Sequence, residues 1–95
     1  MIRNAKAKGT RNEHRSMRLF EGAGYNCTRA AGSLGVFDII AIGSTDVVLC
    51  QVKTRDFPGA AEMESLKNFP APTGVRKLVH RWRDHQRFPD TKEII

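Results

Sequence analysis

The sequence predicts one α/β domain, and three observations lead to this fold class. A helical pattern of apolar residues covers residues 10–23. Two short runs rich in Val and Ile, residues 36–42 and 47–54, are typical of adjacent strands. The length of 95 residues allows one modest core and leaves no room for a second. We therefore expect a single domain over residues 1–95.

The charge distribution favours a polyanionic partner. The formal net charge is +6, and it is unevenly placed along the chain. Residues 1–30 carry seven Lys or Arg against two acids, residues 31–70 three against five, and residues 71–95 six against three. Basic ends around an acidic middle are expected if basic surface binds nucleic acid and a carboxylate site holds a cation. The alternative is a basic protein whose charges serve only solubility.

The composition also bears on the compartment and on metal chemistry. No apolar run approaches a membrane span, and the basic N-terminus has no apolar signal segment, so we expect a cytoplasmic protein. Cys27 and Cys50 form no CxxC pair, so a zinc site is not expected. We expect free thiols in strands, with a disulfide as the less favoured alternative in a reducing cytosol.

The first element is a helix over residues 10–23, preceded by a basic lead-in over residues 1–8. Projection at about 100° per residue divides the helix into two sides. The apolar side holds Met17, Leu19, Phe20 and Ala23, and the basic side holds Arg11, His14, Arg15 and Arg18. Arg11, Arg15 and Arg18 are therefore candidate DNA contacts.

Glu13 lies within the apolar side of this helix, where a carboxylate is unusual. Two explanations remain open. Thr10 and Glu13 fit a capping box, in which the glutamate reaches back to a backbone N–H at the helix start. Alternatively, Glu13 points over the sheet toward Asp38 and Gln51 as a direct or outer metal ligand.

A first strand is expected over residues 25–30 and a loop over residues 31–35. Gly32 and Gly35 let the backbone of this loop pass close to a neighbouring strand or a phosphate. Ser33 in the same loop either contacts DNA or caps a turn, and the turn role is more frequent.

The two runs rich in Val and Ile predict a β-hairpin with a four-residue loop. If Ile42 pairs with Val47, antiparallel pairing brings Asp38 opposite Gln51. Strand periodicity then brings Lys53 to the same face. The predicted register thus brings an aspartate, an amide and an ammonium together at the open end of an otherwise apolar hairpin. Packing of the core does not explain these polar side chains.

These three side chains suit metal-assisted cleavage of a phosphodiester bond. Asp38 and Gln51 offer hard oxygen ligands for Mg²⁺, which retains several waters and binds substrate phosphate; Mn²⁺ is expected to substitute. Such an ion polarises the phosphoryl oxygen and activates water. Lys53 can orient that water or offset charge on the phosphate. Each residue alone fits a solvated strand face, but the three in one register favour the site.

The C-terminal half supplies the remaining elements. They are a turn at residues 56–59, a helix over 60–68, an extended connector over 69–74, a strand over 75–83, a turn over 84–89 and an edge strand over 91–95. The three histidines form no ligand set, and Trp82 is assigned to the core rather than to base stacking.

The ordered motifs resemble the PD-(D/E)XK nuclease superfamily, and most closely archaeal-type Holliday junction resolvases with their small phage and bacterial relatives. The motifs are KGTRNE at residues 8–13, Arg29 with Gly32-Ser33, FDIIA at residues 37–41 and QVK at residues 51–53. The resemblance implies a restriction-endonuclease-like αβββαβ core with a mixed central sheet flanked by helices. It also implies a Mg²⁺-dependent, structure-selective DNA endonuclease that acts on four-way junctions as a homodimer.

The resemblance also implies roles for individual residues. Metal-site roles fall to Glu13, Asp38 and Gln51, the catalytic lysine is Lys53, and Ser33 lies near the scissile phosphate. The implied DNA contacts are Lys8, Arg11, Arg29 and Arg55, to which the basic helix side adds Arg15 and Arg18.

Two departures from the family pattern bear on function. Gln51 stands where most resolvases carry Glu, and the chain after Lys53 is shorter, which affects the dimer surface and junction selectivity. The alternatives are a flap or nick nuclease of replication and repair in the same superfamily, or a non-catalytic DNA-binding module of the same fold.

Overall fold

The chain folds into a mixed five-stranded sheet with a helix packed on each face. The computed structural model describes residues 5–95, and only the backbone of residues 5, 6 and 31–34. The element order is α1 (Ala5–Gly22), β1 (Asn26–Leu34), β2 (Phe37–Ile42), β3 (Val47–Thr54), α2 (Ala60–Asn68), β4 (Val75–Trp82) and β5 (Asp90–Ile94). The strands lie in the order β1-β2-β3-β4-β5. The β3–β4 pair is parallel and the other pairs are antiparallel.

The central hairpin has the register that the sequence predicts. Ile42 pairs with Val47, and the ladder continues toward β3's C-terminal half. Its loop needs glycine at Gly43, because a Cβ there would lie 2.8 Å from Cε2 of Tyr25. The Tyr25 hydroxyl donates to Asp46 Oδ1 at 2.9 Å, so the loop is fixed against the start of β1. This register determines which side chains meet at the other end of the hairpin.

Two apolar clusters lie on opposite faces of the sheet. The cluster under α1 contains Phe20, Ile39, Ala41, Val48, Cys50 and Leu78. The cluster under α2 contains Phe37, Leu49, Leu66, Val79 and Ile94. Because β3 and β4 are parallel, α2 is their crossover connection and covers the face on which odd-numbered β3 residues lie. Cys27 and Cys50 are free, as predicted.

Two predictions about the N-terminus are wrong, the basic lead-in and the helix start at residue 10, and one of the two explanations for Glu13 is excluded. Helix α1 already includes Ala5, so residues 5–8 are helical rather than a lead-in, and residues 1–4 lie outside the described part. Alanine and lysine favour helix strongly, and one glycine in a helix interior costs only about 1 kcal/mol, so Gly9 does not delay the start. Thr10 is therefore inside the helix and cannot be an N-cap, which excludes the capping box.

The predicted loop over residues 31–35 is also wrong, because β1 continues to Leu34 and pairs there with Phe37. The register shifts between Arg29 and Leu34, and Gly32, one of the two glycines that suggested a loop, lies in this irregular part of the pairing. The chain then turns at Gly35, whose φ of 57° favours glycine. The predicted bounds of α2 agree with the structure, and those of β2, β4 and β5 differ from it by one residue.

A buried polar network joins α1 to β4. Ser16 is fully buried; its Oγ accepts a hydrogen bond from Trp82 Nε1 at 2.8 Å and lies 2.8 Å from His80 Nδ1. The His80 ring stacks on Phe20 at 5.0 Å between centroids. Trp82 is a core residue, as predicted. The network fixes α1 on the sheet through polar contacts as well as apolar packing.

This network predicts that stability depends on pH through His80. Burial lowers the pKa of His80 from 6.5 to about 4. The stabilisation is therefore complete above the unfolded pKa, and it is lost as the pH falls from 6.5 toward 4, because only the unfolded chain binds the proton there. We expect the urea-unfolding free energy to fall by about 2 kcal/mol between pH 7 and pH 5.

The control for this prediction removes an exposed histidine. His14→Gln should keep the pH dependence of the wild type, whereas His80→Gln should lose most of it. Equal slopes in His80→Gln and wild type would show that other groups cause the dependence.

Candidate functional site

The candidate site lies where β2 and β3 diverge, away from the hairpin loop. The β2–β3 ladder ends at the pair Ile39–Cys50. Beyond this pair, the backbone N–H of Val52 donates to Asp38 Oδ2 at 2.8 Å. This bond to a side chain stands where the next backbone–backbone hydrogen bond between β2 and β3 would be. This bond holds Asp38 at the fork between the two strands, with Gln51 and Lys53 on the neighbouring strand.

Asp38 lies in an environment that disfavours its negative charge. Burial raises the pKa of Asp38 above its usual value, and the nearby Glu13 carboxylate raises it further. The Val52 N–H bond and the charges of Lys53 and Arg29 act in the opposite direction but do not reverse the shift. A cation bound beside Asp38 would remove this penalty.

Gln51 is buried, with 6% of its surface exposed. Its Nε2 donates to Glu62 Oε2 at 3.2 Å. Within the described part of the chain, Oε1 is the buried side-chain oxygen or nitrogen that has no hydrogen-bond partner. Buried polar atoms are almost always paired, so this orphaned oxygen calls for a partner of a kind that protein atoms here do not supply.

Lys53 and Gln51 share Glu62, a residue of α2 that the sequence analysis missed. Lys53 Nζ donates to both carboxylate oxygens of Glu62, at 3.1 and 3.3 Å. The bond from Lys53 lowers the pKa of Glu62, so this carboxylate is charged at neutral pH. The order strand, helix, strand in the sequence could have indicated Glu62. A helix that connects two parallel strands starts near the end of the first strand, so a residue in its first turn lies close to the end of β3.

Glu13 approaches the site from α1. Arg29 Nε on β1 donates to Glu13 Oε1 at 2.9 Å, and both residues lie close enough to Asp38 to affect its pKa. The described residues contain no group of three His, Cys, Asp or Glu placed to hold a metal ion. The oxygen donors at the fork are the Asp38 carboxylate and the Gln51 amide, and the Glu13 carboxylate approaches Asp38 from α1.

The basic side of α1 forms an open groove. The groove has a volume of about 360 Å³ and is lined by Thr10, Arg11, His14, Arg15 and Arg18. Arg11 and Arg18 are exposed. Arg15 instead lies over the Trp82 ring at 3.9 Å and donates to the Gln86 carbonyl at 2.6 Å, so part of its hydrogen-bonding capacity is already used within the chain.

A second basic cavity follows β3. It has a volume of about 310 Å³ and is lined by Lys8, Thr54, Arg55, Trp82, Arg83 and Asp84. Arg55 is exposed and has a φ of 85°, which is unusual for a residue with a side chain. Its N–H donates to the Trp82 carbonyl at 3.0 Å, which fixes this backbone. Lys8 is paired with Asp84. Ser33 lies in β1, and its side chain is outside the described part.

The mixed sheet flanked by two helices, with Asp38, Gln51 and Lys53 at the fork of its central hairpin, defines a PD-(D/E)XK-type α/β fold. Its solved relative Archaeoglobus fulgidus Hjc, a Holliday junction resolvase from an archaeal hyperthermophile, superposes with a TM-score of 0.73. The two chains are 25% identical, and the match covers 92% of this chain and 73% of Hjc. The resemblance and the fold class inferred from the sequence are thereby confirmed.

At the level of sequence, no protein-family model matches the chain, and no curated protein matches it either. Among the described residues, no helix is long and apolar enough to cross a membrane. The similarity to Hjc therefore rests on the three-dimensional structure, and it supports a nuclease function of the resolvase type.

Proposed function

We propose that this protein is a divalent-metal-dependent DNA endonuclease that cuts branched DNA, with the four-way junction as its first substrate. The observation that carries the proposal is the fork of the central hairpin. There, no described residue hydrogen-bonds the buried amide oxygen of Gln51, which lies on the strand that binds Asp38. The fold around it is shared with a Holliday junction resolvase. Lys53 lies on the same strand, two residues from the amide.

The donor set fits a hard divalent cation such as Mg²⁺ or Mn²⁺. Asp38 and the Gln51 Oε1 oxygen would hold the ion, and Glu13 would act from outside them. Two protein oxygens suffice because Mg²⁺ keeps several waters and accepts phosphate oxygens from the substrate. When bound, the ion supplies Lewis acidity toward the phosphoryl oxygen and lowers the pKa of a water.

The remaining chemistry belongs to residues of this chain. The Lys53 ammonium, held by Glu62, is a preorganised positive charge that offsets the negative charge developing on the phosphate. The same ammonium can hold the attacking water in line. Arg29 is close enough to Asp38 to influence its pKa, and it would contact the DNA backbone next to the scissile bond.

The DNA path that this proposal requires runs over the two basic surfaces beside the fork. Arg11 and Arg18 on α1 and Arg55 after β3 are exposed cations, and Lys8 lines the cavity next to Arg55. Arg15 and Ser33 complete the proposed contacts. A homodimer would present two such sites, one for each of two opposed strands of the junction.

The basic groove of α1 predicts a salt-dependent affinity. Arg11→Ala and Arg18→Ala should each weaken junction binding in every sequence context and lower the slope of log K against log salt by about one. The measurement is fluorescence anisotropy of a labelled junction over a salt series without divalent ions.

Lys67→Ala is the matched control for these arginines. Lys67 is an exposed cation in the last turn of α2, and it lines neither of the two basic cavities. Its replacement should leave the slope unchanged. An unchanged slope in both arginine variants would mean that the groove is only a solvated surface.

The function is tested by cleavage of four-way junctions, flaps, nicked duplex and linear duplex side by side, with and without Mg²⁺. We expect paired incisions in opposed junction strands, only with divalent ion. Faster cutting of flaps or nicks than of junctions would identify a repair nuclease of the same fold. Intact DNA at every metal concentration, with binding retained, would identify a non-catalytic DNA-binding module.

A further inference from the structure

Glu62 contacts both motif residues of β3 from a different element. Its carboxylate accepts hydrogen bonds from Gln51 Nε2 and from Lys53 Nζ. The side chain of Glu62 is 44% exposed, so the core does not require it. Its carboxylate also accepts from the backbone N–H of Gly59 at the start of α2, which serves the helix end. The two bonds to β3 reach the candidate site instead, and they call for an explanation in terms of that site.

The bond to Gln51 matters because an amide has two unlike ends. A carboxylate only accepts hydrogen bonds, so Glu62 selects the orientation in which Nε2 of Gln51 faces α2. The other end, Oε1, is thereby turned away from Glu62 into the buried region where it has no partner among the described residues. In the flipped orientation an N–H₂ group would take that position, and it would repel a cation.

The bond to Lys53 has a second consequence. Both Glu62 oxygens hold the ammonium, which limits the rotamers of a long side chain. Glu62 also brings one negative charge next to the neutral Gln51. The site therefore keeps a carboxylate near the position where most resolvases have one, but on α2 rather than on β3.

We propose that Glu62 is a positioning residue: it fixes the Gln51 amide so that Oε1 faces a bound divalent cation, and it holds the Lys53 ammonium beside that cation. This inference rests on the proposed function, because it assumes that the fork binds a divalent ion. Glu62 itself remains outside the ligand set, with its oxygens on the amide nitrogen and the ammonium.

The test is Mn²⁺ binding to the full chain without DNA, measured by isothermal titration calorimetry. Glu62→Ala should weaken Mn²⁺ binding by about 10- to 100-fold, the usual effect of losing an orienting partner of a metal ligand. Glu64→Ala removes the same charge from an exposed position of the same helix and should leave the affinity unchanged. Glu62→Ala also removes the contact to the Gly59 N–H, so circular dichroism of both variants must match the wild type; the high helix propensity of alanine favours this result.

The decisive comparison repeats Glu62→Ala in a Gln51→Glu background. A carboxylate has two equivalent oxygens and no orientation to fix, and in that background Glu62 would face a like charge. Removing Glu62 there should change Mn²⁺ affinity by less than about threefold, or strengthen it. The dependence on residue 51 distinguishes an orienting role from a purely electrostatic one.

Three outcomes would overturn the inference. Wild-type affinity in Glu62→Ala would show that the amide needs no orienting partner. An equal loss in both backgrounds would show that Glu62 is a ligand itself or acts by charge alone. Absence of Mn²⁺ binding by the wild type would overturn the metal site and the proposed function with it, whereas the first two outcomes leave that function standing.

Discussion

Asp38→Asn should abolish cleavage and leave DNA binding intact. We expect a fall in the single-turnover rate of about three orders of magnitude or more, since metal ligands contribute several kcal/mol to transition-state stabilisation. The asparagine Oδ1 can still accept the Val52 N–H, so the fork between β2 and β3 should keep its geometry. DNA affinity without metal should equal that of the wild type or rise, because a negative charge facing phosphate is removed.

The matched control for Asp38 is Asp56→Asn. Asp56 is exposed in the turn after β3, near the site in sequence, and its backbone N–H rather than its side chain makes the contact to Thr54. This variant should cut at the wild-type rate. Normal cleavage by Asp38→Asn would show that the fork is not the catalytic site. If circular dichroism shows that Asp38→Asn does not fold, Asp38→Glu takes its place in the same comparison.

Lys53→Met should also lower cleavage strongly, but with the metal site preserved. We expect the rate to fall by about 10²- to 10³-fold, as when one preorganised electrostatic group is removed. Mn²⁺ affinity should equal or exceed the wild-type value, because a positive charge near Asp38 is lost. Methionine keeps the length of the side chain, and the lost partly exposed ion pair with Glu62 contributes less than about 1 kcal/mol to stability.

Lys67→Met controls for loss of one positive charge, and we expect no change in its single-turnover rate. The split between rate and metal affinity is the informative result for Lys53. If Lys53→Met loses Mn²⁺ binding as well as cleavage, the lysine acts through the fold of the site rather than on the phosphate. Asp38→Asn, in contrast, should lose both Mn²⁺ binding and cleavage. Comparing the two variants therefore distinguishes a residue that holds the ion from one that stabilises the transition state.

The hairpin site could be predicted because its information is local. Alternating apolar residues and a four-residue loop determine the register of β2 and β3. That register places Asp38 at the fork beside the strand that carries Gln51 and Lys53. A shift of one residue would have exposed the whole apolar face, so the pattern allows one register only.

Glu13 shows where local patterns mislead. The short capping motif at Thr10 fits many helix starts, but the start of α1 is determined by the alanines and lysines that precede Gly9. In the folded chain Glu13 pairs with Arg29, a residue of the next element. Its role beside Asp38 therefore depends on how α1 packs across β1, which no spacing within the helix records.

The sequence by itself determined the α/β class, the hairpin and the three residues at its fork. The tertiary structure decided which residues support them: Ser16 with His80 and Trp82 in the core, and Glu62 at the site. These partners come from elements far apart along the chain, joined by helix packing and by the parallel crossover from β3 to β4. Side-chain periodicity fixes the face on which a residue lies, but contacts between faces of different elements exist only once the elements have packed.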